Sequence, residues 1–170
     1  MNVKDAIVKA MQEYRQITGL RSYLIQDVDD INSAAERNYF CKCLKTSARA
    51  LKHCEECTME NYRSALSEKK VSMYSCHAGL VKWSMPIRYG DFHGVIISEG
   101  VITKQQVKDS EKWVLYLSER YNVRRDVLLD NYKVIKEMTE EEVNISIKLL
   151  KDPVDYYIAM STHTVQGGHS

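Results

Sequence analysis

From Val81 to Tyr89 apolar and polar residues alternate without a break: Val81, Trp83, Met85, Ile87 and Tyr89 against Lys82, Ser84, Pro86 and Arg88. A period of two is that of a strand with one buried face. Pro86 has no N–H to donate, which predicts that this strand is an edge or is bulged there. The turn "YGDFHG" follows, and "FHGVIIS" reads as the returning strand of a hairpin. "VSMYSC" just upstream is a further short apolar run.

Elsewhere the period is helical. Val3, Ile7, Ala10, Met11, Tyr14 and Ile17 predict an amphipathic first helix that Gly19 ends, and "RSYLIQDVDD" reads as a strand into an acidic turn. "INSAAERNYF" is ambiguous, a loop with a helical turn. Thr46 to Glu68 is helix-prone, and residues 104 to 121 set Val107, Val114, Leu117 and Tyr121 on one side of a later helix. A short segment spans Arg125 to Tyr132. Thr139 with Glu142 three residues on is a capping-box signature for a helix through "EEVNISIKLL". Asp152-Pro153 then kinks or restarts that helix. The order α-β-α-β-β-β-α-α predicts an α+β fold, a small antiparallel sheet flanked by helices with a helical C-terminal third. Residues 1–160 read as a single domain and 161–170, "STHTVQGGHS", as a frayed tail.

Composition narrows the partners. The 170 residues are 44% hydrophobic and 28% charged with net charge +1, so no basic face or acidic tail points to nucleic acid or a membrane surface. No apolar run approaches the roughly 20 residues of a bilayer span, and charges interrupt the apolar pattern of the N-terminus, unlike a secretory signal. The expected location is the cytoplasm. Two prolines and seven glycines leave no linker, and most of the eleven tyrosines sit at core spacing.

Five cysteines in such a chain change the picture. In a reducing compartment clustered cysteines bind metal or do redox chemistry more often than they form disulfides. Cys54-Glu-Glu-Cys57 has the spacing with which two thiolates grip one ion, and Cys41 and Cys76 complete a four-sulfur set suited to zinc or an iron–sulfur cluster. The same cysteines also read as lining of a ligand pocket without metal, or as small buried hydrophobes. Cys76-His77 suggests a nucleophile and its base, but neighbours on a strand point to opposite faces and no third orienting group is evident. His53 and His93 stand alone and read as surface residues. No phosphate loop, dinucleotide fingerprint or hydrolase motif occurs, so the expectation is a protein that is not an enzyme.

Phe40-Cys41, a helix bearing Cys54, the run "YSCHAGL", then Pro86-Ile87 and a strand up to Gly100 together resemble the PocR sensory domain, over about residues 5 to 155. The Cys-His-Ala-Gly-Leu run before a Pro-Ile strand is the most specific part. The resemblance implies a PAS-like ligand-binding domain of bacterial signalling proteins, sensing small hydrocarbon derivatives such as short diols. It implies that Cys41, Cys54 and Cys76 with His77 line the ligand or metal site, with Gly79 and Leu80 completing the motif. Two departures stand out. Cys57 occupies a position where family members often have another residue, which strengthens a four-sulfur metal set of Cys41, Cys54, Cys57 and Cys76. Glu99-Gly100-Val101 stands where a Gly-Gly-Gln is common.

The expected ligand site is Cys41, Cys76 and His77 backed by Trp83 and Met85. The expected role is control of a fused or separate output module, a helix-turn-helix or a histidine kinase. The domain itself would contact neither membrane nor nucleic acid; the sequence leaves the oligomeric state open, with a homodimer among the options. The alternative is a redox or oxygen sensor carrying the four-cysteine site.

Overall fold

The computed structural model describes residues 1–32 and 38–167. Part of the ambiguous "INSAAERNYF" stretch and the last three residues of the expected tail lie outside them. The element order is α1 (Val3–Thr18), β1 (Ser22–Ile25), α2 (Asp29–Asn32), α3 (Tyr39–Leu44), α4 (Ala48–Glu68), β2 (Ser72–Ser75), β3 (Val81–Tyr89), β4 (Phe92–Ser98), α5 (Lys104–Lys108), α6 (Ser110–Tyr121), α7 (Arg125–Tyr132) and α8 (Glu140–Gly167). The strands form one antiparallel sheet in the order β1-β4-β3-β2, so the fold is α+β as the pattern predicts.

Local signals place most of the boundaries. Asn2 and Asp5 form a capping box at the start of α1, and Gly19 closes it at φ 74°, a left-handed conformation that costs glycine little. Thr139 and Glu142 bond reciprocally at the start of α8. That helix then runs on through Pro153 to Gly167, past the point where the sequence pattern places a tail. The single helix expected over 104–121 is two, α5 and α6, meeting at Asp109. Thr103 and Gln106 box the start of α5, and Val107 is exposed rather than packed. β3 is central, yet β2 pairs only as far as Ser84, so Pro86 lies where β3 has β4 alone beside it. The missing N–H is therefore tolerated. Gly90, at φ 57°, makes the tight turn between paired Tyr89 and Phe92.

Helices cover both faces of this sheet. On one face Leu24, Trp83, Met85, Ile87 and Ile96 pack on Ile7, Ala10 and Tyr14 of α1 and Leu150, Val154 and Ile158 of α8. Tyr14 and Ser146 tie the two helices with a buried hydrogen bond of 2.6 Å. On the other face Ile25, Val95 and Ile97 meet Tyr62 and Ala65 of α4. A third cluster joins Phe40 and Leu44 of α3 to Val114, Leu117, Leu128 and Tyr132 of α6 and α7, with Ala78 and Leu80 at its edge. The turn between β2 and β3 supplies those two residues and packs Cys76 against the same cluster.

Candidate functional site

Residues 76–80 form that turn. Gly79 N–H donates to the Cys76 carbonyl (2.8 Å) and Cys76 N–H to the Leu80 carbonyl (2.9 Å). Gly79 sits at φ 84° under the indole of Trp113, where a Cβ would come within 2.9 Å of the ring. The Trp113 indole N–H donates to the Ala78 carbonyl at 2.7 Å, and the Gln106 amide donates to the Gly79 carbonyl. Only glycine fits a left-handed backbone pressed so closely against a ring. The turn is thereby fixed to α5 and α6 from outside, and Cys76 and His77 are aimed inward.

Opposite the turn lies α4. Leu51, Cys54, Cys57 and Thr58 are spaced three or four apart, so one helical face carries both cysteines towards the turn. Cys41 and Leu44 come from α3 and Lys45 from its C-cap; the N-cap Asn38 accepts from the Cys41 N–H at 2.8 Å. Together these elements enclose a cavity of about 80 Å³ whose walls include Cys41, Cys54, Cys57, Cys76 and His77. Four of the five cysteines and the turn histidine thus converge, as their residue types suggest. Cys43 faces α7, where it accepts from the Asn131 amide at 3.6 Å.

Trp83 and Met85 do not back this cavity. The alternation of β3 sends them to the α1 and α8 face, where Met85 also borders a separate groove with Arg88 and Ile158. The cavity receives the polar phase of the strand instead. Lys82 forms part of the floor, with Tyr74 directly across from it on β2 and Tyr23 on β1. Lys82 is half-buried as a residue, but its ammonium is turned inward and donates to Tyr23 Oη at 3.0 Å. Tyr74 Oη is buried and has no hydrogen-bond partner among the described residues. Glu99 and Gly100 lie at the margin, and Glu99 Oε1 accepts from the Arg21 N–H at 3.1 Å.

His53 belongs to the site as well, although a lone histidine on a helix gave no sign of it. Its Nδ1 is 2.7 Å from Tyr121 Oη, and His77 Nδ1 is 3.2 Å from the same oxygen. Burial, aided by His53, Lys45, Arg120 and Lys82, lowers the His77 pKa from 6.5 to about 4, so the imidazole is neutral near pH 7. Burial likewise raises the Cys76 thiol, outweighing Lys82 and the backbone N–H groups of Ala78 and Leu80. The Cys57 thiol is raised for the same reason, against the His77 backbone N–H. Burial opposes charge on Lys82, but the surrounding Tyr23, Tyr74 and Cys76, with the Tyr23 hydrogen bond, more than offset it and hold its pKa well above the usual lysine value.

Two chemistries can be judged on this geometry. A nucleophilic cysteine needs thiolate character and a base within reach. Cys76 is held as a thiol, and the His77 ring is engaged with Tyr121. For metal, the four thiols share a cavity, but among the described residues no group of three or more His, Cys, Asp or Glu side chains is arranged to hold an ion. None of the five cysteines forms a disulfide.

The family model described as a sensory domain found in PocR matches residues 3–162. The chain belongs to the PocR sensory-domain family. No curated protein and no solved structure matches it. The match spans α1 to the last turns of α8, so this PocR domain includes the whole sheet, the cysteine-lined cavity and the helices on both faces. Membership gives it a signal-sensing role. No helix among its described residues is long and apolar enough to cross a membrane.

Proposed function

We propose that this PocR domain receives its signal as a small molecule bound in the cavity between α3, α4 and the 76–80 turn, and that it acts by binding rather than catalysis. The observation that carries this reading is the convergence of Cys41, Cys54, Cys57, Cys76 and His77 on one space of about 80 Å³, together with the inward-turned Lys82 ammonium and the buried Tyr74 hydroxyl. Apolar walls with a few converging polar groups are the usual form of a small-molecule site. The Cys57 and Cys76 thiols, raised by burial, and the neutral His77 imidazole support reversible holding over covalent chemistry.

Occupancy would be reported outwards through the turn. Trp113 and Gln106 grip the Ala78 and Gly79 carbonyls, so a ligand that moves the turn moves α5 and α6. A ligand shifts such an equilibrium only as far as it prefers one of the two conformations. An output module, a helix-turn-helix or a histidine kinase, fused or separate, would read that shift in the cytoplasm.

A thermal-shift panel of short acids, alcohols and diols tests the reading. A true ligand at a hundred times its Kd adds about 2.7 kcal/mol of stability. Cys54→Phe, which fills the cavity, should remove the shift while leaving a cooperative melt. A hit that stabilises Cys54→Phe equally would place binding elsewhere and overturn the proposal.

A further inference from the structure

Among the described residues two lysines border the cavity, Lys45 and Lys82, and Lys82 turns its ammonium inward, where the protein answers it only in part. An ammonium has three donors and no acceptor. Among the described residues Tyr23 Oη is the hydrogen-bond partner of Lys82, and no ion pair includes it. Tyr74 is paired with Lys82 across the β2–β3 ladder, so the two side chains share a face of the sheet. The buried, unpartnered Tyr74 hydroxyl and the Lys82 ammonium are therefore two adjacent donors facing one space. Buried polar groups are nearly always satisfied, and an open hydroxyl beside an ammonium with donors to spare marks where a ligand's acceptor belongs. The space is small. A water needs about 10–15 Å³ on the same measure and a drug-sized ligand several hundred, so about 80 Å³ admits only a few heavy atoms.

Resting on the proposal that the cavity is the ligand site, we propose that the ligand is a short-chain carboxylic acid, its carboxylate held between Lys82 Nζ and Tyr74 Oη and its carbon chain directed towards Leu44, Ala78 and Leu80. Two carboxylate oxygens match one ammonium and one phenol, and the single negative charge neutralises Lys82. A neutral diol offers acceptors but leaves the charge unbalanced.

Calorimetric titration of the full chain with lactate and with 1,2-propanediol decides the matter, because the two share a three-carbon hydroxylated skeleton and differ at the carboxylate. Lactate should bind at least about tenfold more tightly, the scale of one charge-assisted hydrogen bond. Lys82→Met should bring lactate down to the level of the diol without weakening the diol. Tyr74→Phe should also weaken lactate while leaving the fold intact, since its hydroxyl has no partner to lose; it keeps the test open if Lys82→Met folds poorly. A diol that binds as tightly as lactate, or lactate binding indifferent to both substitutions, overturns the acid assignment but leaves the cavity as a ligand site. Failure of both probes to bind the native chain also overturns it, while the Cys54→Phe comparison separately judges the cavity itself.

Discussion

Gly79→Ala is the sharpest single perturbation of the site's frame. The residue sits at φ 84°, and an added Cβ would lie 2.9 Å from Trp113 Cζ2 and 3.0 Å from Nε1. A left-handed alanine costs about 1–2 kcal/mol, and forcing a methyl into packed surroundings adds about 1–3 kcal/mol. The sum is roughly 2–5 kcal/mol, or on the order of 5–15 °C in Tm for a chain of this length. Urea and thermal unfolding followed by circular dichroism would measure it. Adding Trp113→Phe separates the parts. It shortens the ring and should recover the contact term, leaving the backbone term of about 1–2 kcal/mol once the single Trp113→Phe is subtracted in a double-mutant cycle. A Gly79→Ala change within about 0.5 kcal/mol of the native chain, the usual range for an unconstrained surface position, would refute the reasoning.

Other consequences follow from individual groups. Tyr14→Phe strips Ser146 Oγ of its buried partner and should cost about 1–2 kcal/mol in a urea melt; a neutral result would mean that Ser146 finds another partner. His77 has a folded pKa near 4 against 6.5 when unfolded, so the unfolded chain binds the extra proton between those values and stability should fall as pH drops through that window. His77→Gln should flatten that slope, and an NMR titration midpoint near 6.5 would contradict the burial argument. With burial raising Cys57 and Cys76, both thiols should react with iodoacetamide more slowly in the native chain at pH 8 than in the urea-unfolded one. Native-state rates at or above the unfolded rates would revive a nucleophilic role.

The sequence pattern made much of this fold legible because local signals decided it. Gly19 ends α1, the Thr139–Glu142 box opens α8, and the 81–98 alternation is a hairpin. The Thr103–Gln106 box was equally open to reading, and with it the separate start of α5. What alternation cannot say is which layer covers each side of a strand. In a sheet with solvent on one face the polar phase of β3 would point out. Here α4 covers that face, so Lys82 enters the interior, while Trp83 and Met85 go to the α1 and α8 face. Tyr74 followed from the same missing fact, since its pairing with Lys82 depends on the register set by the 76–80 turn. His53 was illegible for a different reason. Its role rests on Tyr121, 68 positions away, and helical spacing says nothing about so distant a partner. The cysteines fared better, since four half-buried cysteines spread over several elements have one economical meeting point, the space those elements enclose.

An amide chemical-shift map recorded during titration with lactate and with 1,2-propanediol tests the central claim most directly. Binding in the cavity predicts that the largest shifts fall on Tyr74 to Lys82, Cys54 to Thr58 and Cys41 to Lys45, with a secondary set on Gln106 and Trp113 across the turn. Shifts confined to the groove beside Met85 and Ile158, with residues 74–82 unmoved, would contradict it.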